Sequence, residues 1–435
     1  MNPTHTLAIL IATAASLTAS PSFTVDATHS AGAVSPRLYG LMTEEINHSY
    51  DGGLYAELIR NRAFLDDANA PVDWSVVSNE PAAATIALDR SKPMNDKLPT
   101  SLRLTVSKAA KDHPAGVANS GYWGIPIHPD TKYRASLWAR AEAGFTGPLM
   151  VSLVSDDGRT VYASEAISGL TTEWKKFETT LGTGKVAPTA QARFEVTLNQ
   201  PGTVSLNLVS LFPPTWNDRP NGLRKDIMQM LVDLNPKFLR FPGGNYVEGQ
   251  KIEDRFPWQK TLGPIEDRPG HAGCWGYRSS DGMGLLEFLE WCEDMKAEPL
   301  LAVYAGYSLQ GDHVNAGPDL EPFVKEALDE IEYVIGGTNT IWGARRAQDG
   351  HPSPFKLNYV EIGNEDSFDK AKTYDGRYAQ IATAIKATYP QLKVISSVSP
   401  PPPMGPKPDM VDLHDYSASD DFVKKSHTYG ADMDR

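Results

Sequence analysis

The chain has 435 residues, 41% hydrophobic and 22% charged, a balance that supports packed domains and excludes wholesale disorder. At roughly 150 residues per domain, two or three domains fit. Lys plus Arg is 41 against 54 for Asp plus Glu, and the resulting net charge of −13 repels polyphosphate. A nucleic-acid partner is therefore disfavoured, while a neutral ligand such as a sugar meets no such objection. Two cysteines, Cys274 and Cys292, exclude a disulfide-dense scaffold and a four-cysteine zinc site.

Leu7 to Leu17 (LAILIATAASL) is an apolar run too short for a membrane span, and small residues follow it in Thr18-Ala19-Ser20. Residues 1–20 read as a secretory signal peptide, which makes the protein secreted or periplasmic. No later run reaches the roughly 18 apolar residues of a transmembrane helix, so no membrane partner is expected.

Tyr39 to Asn47 reads as a strand with a polar end, Asp51-Gly52-Gly53 as a turn, and Leu54 to Arg60 as a short helix. From about Asp66 to Pro213 short alternating runs recur: Ser101–Val106, Tyr133–Ala139, Leu149–Val154, Arg193–Leu198 and Val204–Val209. Turn residues separate them, which is the pattern of an antiparallel β-sandwich. From Asn221 the period changes. Leu223, Ile227, Met230, Leu231 and Leu234 fall on one helix face that stops at Asn235-Pro236, and Lys237–Phe241 follows as a strand. Helices through Leu285–Met295, Pro322–Ile335 and Tyr374–Ile385 alternate with strands at Pro299–Tyr304, Leu357–Ile362, Leu392–Val398 and Met410–Tyr416. Such alternation implies a parallel sheet. Polar clusters just after the strands are the layout of a (β/α)8 barrel. Pro400–Pro403, with Pro406 and Pro408, is either a polyproline recognition segment or a stiff loop after a barrel strand.

The strongest chemical signal is Tyr359-Val360-Glu361-Ile362-Gly363-Asn364-Glu365, a buried strand leading into an amide and a carboxylate. A carboxylic acid that partial burial keeps protonated near neutrality can donate to a departing glycosidic oxygen, and Glu365 is the candidate. Asn364 is suited to a sugar hydroxyl beside it. The same pair also fits a helix-capping Asn and a surface Glu. Glu361 lies roughly 13 Å deeper at 3.3 Å per residue, so it reads as an interior ion-pair residue. In Arg240-Phe241-Pro242-Gly243-Gly244-Asn245 two glycines allow a sharp turn that aims Asn245 into the mouth, or simply make a turn. Glu44 and Glu45 are adjacent on a strand, so at most one faces the pocket. Asp412, His414 and Tyr416 share one face of the last strand. There is no HExxH, and no GxSxG elbow, so neither metal nor cofactor is expected.

Together these segments resemble glycoside hydrolase family 51, the α-L-arabinofuranosidases. The resemblance rests on Gly40 to His48, Asp51 to Ile59, Asn61 to Phe64, Leu239 to Asn245, Ser280 to Phe288, Glu361 to Asp366 and Leu413 to Tyr416, in order. It implies that Glu365 is the general acid/base, and that Asn364 binds the sugar 2-hydroxyl. It further implies that Glu44 and Asn245 hold the arabinose ring and that Tyr416 orients the nucleophile; His414 is counted with the substrate-binding residues, although a lone histidine there is more often a satisfied structural one than a catalytic base. The substrate it implies is an arabinose-containing polysaccharide or oligosaccharide; a homo-oligomer of the full-length form stays open. Trp123, Trp138 and Tyr122 in the insert either stack on sugar or are core aromatics. A β-xylosidase, an endoglucanase and a non-catalytic carbohydrate-binding remnant remain alternatives.

The expected fold is α/β, an incomplete (β/α)8 TIM barrel with an inserted all-β carbohydrate-binding-like sandwich. Its parts are the signal peptide 1–20, an N-terminal segment 21–65 with the first barrel strand, the sandwich 66–213, and strands two to six within 214–435. The family's nucleophile is a glutamate ending the seventh strand. Only 19 residues follow Tyr416, and they contain no glutamate. A fragment of a longer reading frame is therefore expected. Without that carboxylate the glycosyl-enzyme cannot form, and an open barrel exposes strand edges. The 435-residue chain made alone is expected to be poorly soluble and nearly inactive on aryl arabinofuranosides; normal turnover by purified chain of this length refutes that.

Overall fold

The computed structural model describes residues 24–29, 33–399 and 401–425. The leader, Pro400 and residues 426–435 lie outside the described residues. The chain divides after Leu38 into two units. The first carries turns, with the Leu38 amide bonded to Ser35 O at 3.0 Å. Every sheet described below belongs to the second, which begins at Tyr39.

β1 (Leu41–Met42) is followed by ten antiparallel strands. These are β2 (Trp74–Ser78), β3 (Ala83–Asp89), β4 (Ser101–Lys108), β5 (Ala115–Asn119), β6 (Lys132–Ala141), β7 (Leu149–Ser155), β8 (Val161–Ile167), β9 (Lys175–Gly182), β10 (Ala192–Leu198) and β11 (Gly202–Phe212). They pair into two five-stranded sheets, ordered β2-β5-β10-β7-β8 and β3-β4-β11-β6-β9. Alternation decides the faces: on β6, Tyr133, Ala135, Leu137 and Ala139 are buried, and Arg134, Ser136 and Trp138 face the other way. The inward residues share one apolar cluster with Val117, Val151, Phe194 and Leu206.

The parallel sheet resumes after the insert. The order is α1 (Lys225–Leu234), β12 (Phe238–Phe241), α2 (Gly244–Glu248), β13 (His271–Ala272), β14 (Arg278–Ser279), α3 (Leu285–Met295) and β15 (Glu298–Val303). Then come α4 (Glu321–Ile335), α5 (Ile341–Gln348), β16 (Tyr359–Ile362), α6 (Tyr374–Thr388), β17 (Lys393–Ser396), β18 (Met410–Val411) and α7 (Ser419–Lys425). The six parallel strands run β1-β12-β15-β16-β17-β18, in chain order. Sequential parallel strands with helical crossovers are the winding of a (β/α)8 barrel, and among the described residues the sheet is an incomplete one. Phe241, Leu301, Val360, Ile362 and Val394 are fully buried in its core.

The strand read over Tyr39–Asn47 is confined to Leu41–Met42, so Glu44 and Glu45 follow it on a loop, and three further local expectations fail for tertiary reasons. Leu54–Arg60 is not a helix. The turn at Tyr50–Leu54 is followed by extended chain, because Tyr55 bridges Leu223 and the Leu58 amide bonds Leu211 O at 3.0 Å. The segment runs between the end of the sandwich and the start of the barrel, and both sides claim its backbone. On α1 the inward line passes through Ile227, Met228 and Leu231, so Met230 is turned out to 69% exposure. The last strand stops at Val411, so Asp412, His414 and Tyr416 lie on a loop. The proline-rich loop packs on α6: Tyr378 OH donates to Pro406 O at 3.2 Å.

The glycine pair after β12 is a steric requirement. Gly243 has φ +76°, and a Cβ there would lie 1.6 Å from Thr43 O; one on Gly244 would lie 1.9 Å from Glu44 Oε2. The turn therefore seats directly on the end of β1. On the other side of the mouth, Arg377 of α6 is fully buried and pairs with Asp366 (2.8 Å) and Asp369 (3.1 Å). Its Nη1 also donates to Ala305 O. Removing the cation strands two carboxylates. Arg377→Met is expected to cost about 3–5 kcal/mol, read from urea denaturation; an unchanged midpoint overturns the pairing as a stabilising element.

Candidate active site

β16 delivers its polar end by a sharp turn. Gly363 has φ +82°, where a Cβ would meet Asp366 Oδ2 at 1.9 Å. Glu365 itself adopts a left-handed φ of 46°. A non-glycine residue held there costs about 1–3 kcal/mol and persists only where its surroundings enforce it. Asp366 does so, gripped by Arg377 and by Ser397 Oγ at 3.0 Å.

Glu365 Oε1 accepts from Tyr416 OH at 2.9 Å and meets His414 Nδ1 at 2.8 Å. His414 Nε2 meets Asp412 Oδ2 at 3.0 Å, and Asp412 faces Arg240 Nε at 3.4 Å. The Asp412 hydrogen bond, helped by Glu365 against desolvation, pushes His414 up to about 9. At neutral pH the ring is a cation that donates to both carboxylates. Burial raises Asp412, but the His414 hydrogen bond and Arg240 outweigh it and hold the group below the usual carboxylate range.

Beneath this row lies a buried floor. Arg240 Nε and Nη2 grip Glu361 at 2.6 and 2.7 Å, and Nη2 also donates to Asn364 Oδ1 at 2.9 Å. Asn364 Nδ2 donates to Glu248 Oε2 at 2.9 Å, and Asn245 Nδ2 donates to the same oxygen at 2.8 Å. Both amides are thus locked in orientation, leaving Asn245 Oδ1 as an acceptor. Burial, then the charge of Asp366, pushes Glu248 up to about 8. Glu44 accepts from Trp275 Nε1 at 2.7 Å and from the Asn245 amide, and desolvation raises it. Glu45 turns the other way, accepting from Tyr277 OH at 2.7 Å and the Tyr50 amide at 2.8 Å.

The six residues singled out from sequence are therefore linked. Glu365, His414 and Tyr416 touch directly; Asn364 and Asn245 meet through Glu248; Glu44 joins through the Asn245 amide. His414 places one ring nitrogen against Glu365 and the other against Asp412. Tyr416, which the family resemblance assigns to a nucleophile, here bonds Glu365. Asn364 is fully buried in its network, which removes the helix-cap alternative. Glu248 and Trp275 escaped the sequence reading. Glu248 had a signal, three residues after Asn245 on one helix face; Trp275 had none. Among the described residues no group of three His, Cys, Asp or Glu could hold a metal, and no helix is long and apolar enough to cross a membrane.

A histidine raised by its partners adds stability that is full below about 6.5 and is lost as pH rises through its folded value. His414 is expected to titrate near pH 9 by NMR, and Asp412→Asn to bring the midpoint down. A midpoint that Asp412→Asn leaves in place overturns the pairing.

Comparisons with known proteins converge. The model of the α-L-arabinofuranosidase 1 domain matches residues 230–435. A probable α-L-arabinofuranosidase A of Aspergillus oryzae is 38% identical over 403 residues, covering 90% of this chain and 63% of its own length. The α-L-arabinofuranosidase 1 of Arabidopsis thaliana is 37% identical over 419 residues, covering 93% and 60%. The solved structure of arabinose-bound MgGH51 α-L-arabinofuranosidase superposes with a TM-score of 0.84 at 41% identity, over 90% of this chain and 64% of that one. The chain spans less than two thirds of the length of each.

Proposed function

The chain belongs to glycoside hydrolase family 51, the α-L-arabinofuranosidases, and on that premise we propose a retaining exo-acting glycosidase. It releases terminal α-L-arabinofuranosyl residues from arabinoxylan, arabinan and their oligosaccharides. The observation that carries this reading is the row Asp412–His414–Glu365–Tyr416 set beside Asn364, Asn245 and Glu44 at the carboxyl ends of the parallel strands.

Glu365 protonates the departing oxygen, then takes the proton from the water that resolves the covalent intermediate. His414 and Tyr416 hold its Oε1, which presents Oε2 to the bond being broken. Asn364 keeps one Nδ2 hydrogen for the 2-hydroxyl. Asn245 Oδ1 and the Glu44 carboxylate accept from the remaining ring hydroxyls. Retention needs a second carboxylate about 5–5.5 Å from the first. Arg240 Nη1 is buried and has no acceptor among the described residues, a donor suited to holding one. No step needs a metal or cofactor. Residues 66–213 form a sandwich inserted into the catalytic unit, and the apolar leader makes the protein secreted or periplasmic.

Glu365→Gln in the full-length enzyme is expected to slow hydrolysis of arabinosyl oligosaccharides about 10²–10⁴-fold. The loss is much smaller on an aryl arabinofuranoside with an acidic phenol, which leaves without a proton. Equal losses on both refute the acid role. A panel of aryl glycosides that favours β-xyloside or β-glucoside reassigns the site to another barrel glycosidase.

A further inference from the structure

Of the three aromatics of the insert that were open to two readings, Tyr122 and Trp123 line one cleft. Tyr122 is half-buried, with the Arg60 guanidinium 5.8 Å from its ring centre. Trp123 is 67% exposed. It is nonetheless tethered, because its Nε1 donates to Gly52 O at 2.8 Å. Leaving a large apolar side chain in water forgoes about 1.5–3 kcal/mol of burial, so a fixed exposed indole is the informative exception. Such a ring suits a ligand that is apolar on one face and wet at its edge.

Trp123 lines a cleft of about 460 Å³ whose walls come from the sandwich (Pro126, His128) and from the catalytic unit (Gly53, Pro214, Arg224). Its place follows from topology. Gly52 lies in the connection leaving the carboxyl end of β1. Arg224 immediately precedes α1, the helix that returns from that end to the start of β12. The cleft therefore opens on the face that carries Glu365. A file of packed side chains separates it from the mouth: His48 packs edge-on to Trp123 at 5.8 Å and stacks on Tyr277 at 4.1 Å. Tyr277 in turn bonds Glu45, the neighbour of Glu44.

The charge in the cleft is balanced. Arg224 is paired with Asp226, so the rim offers donors and acceptors with no net attraction for a polyanion. Sugar rings have an apolar C–H face and hydroxyl edges, which fit an indole floor and such a rim. We propose that this cleft binds the backbone of the polymer being trimmed, a neutral polysaccharide, with one sugar ring stacked on Trp123. The proposal rests on the glycosidase reading and adds a second binding site to it, outside the arabinose pocket.

The test uses xylohexaose, which contains no arabinose, and free L-arabinose as a separate probe of the mouth. By calorimetry the chain binds the hexaose, Trp123→Ala weakens it about tenfold, and Glu365→Gln leaves it unchanged. In the unsubstituted chain the indole N–H resonance of Trp123 shifts on titration, a readout that needs no variant. Hexaose affinity indifferent to Trp123→Ala, or an indole resonance that does not move, overturns the proposal. So does a dimer of the wild type that Trp123→Ala dissolves, which would give the cleft to a second copy. Hexaose binding without arabinose binding overturns the arabinofuranosidase assignment and keeps the cleft; the converse keeps the assignment and removes the cleft.

Discussion

Arg240 and Glu361 face each other inside the curl of the sheet, from strands with β15 between them. Both are almost wholly buried, at 4% and 1% exposure. Desolvating two charges costs several kcal/mol each, and only near-ideal geometry repays it. Here the contact is bidentate, and Arg240 Nη2 is shared with Asn364. The pair thus does more than join β12 to β16. It fixes the height and rotation of Asn364, and through it the turn from which Glu365 projects. Replacing Arg240 alone would leave the Glu361 charge uncompensated under the mouth, so the ion pair and the site stand or fall together.

Charge alternates upward from that floor. The Arg240 cation faces the Asp412 anion, Asp412 holds the His414 cation, and His414 meets Glu365. Each group is set by the next, which is why Asp412 stays ionised despite partial burial and His414 stays protonated near neutrality. The carboxyls off this row behave differently. Glu248 and Glu45 are both pushed up to about 8, chiefly by burial, and both accept hydrogen bonds from neutral donors. Holding some of the acids neutral limits the negative field around the row.

What could be read from sequence follows from how local each determinant is. α3, α4 and α6 were legible because their buried residues recur at helical spacing, as in Leu285, Leu289 and Cys292. The sandwich strands were legible because β6 alternates between core and surface from Lys132 to Ala139. Glu365 was legible because an apolar strand runs into Gly363-Asn364-Glu365, a local pattern. Leu54–Arg60 was not, since its apolar residues are spaced like a helix but bury by docking on Leu211 and Leu223, remote in sequence. Asp412 to Tyr416 alternates like a strand, yet the ladder ends with the Asp412 amide on Ser396 O, and beyond it the side chains of His414 and Tyr416 bond Glu365. Trp275 meets Glu44 across 231 residues of sequence, and no periodicity encodes that.

The position of the insert has a further physical meaning. It interrupts the chain between β1 and α1, within a connection at the carboxyl end of a parallel strand. Connections on the opposite face would carry an insert far from the mouth; this one cannot. Its entry and exit are tied to the catalytic unit by backbone pairing, Leu58 to Leu211 and Tyr55 to Leu223, so the sandwich is anchored at the same loop that supplies Glu44 and Glu45. Gly52, on that loop, is the residue whose carbonyl holds Trp123. One loop therefore carries, within about ten residues, a pocket carboxylate and the tether of an exposed indole. In the proposed function, that loop couples recognition of a small sugar ring to recognition of whatever the ring is attached to.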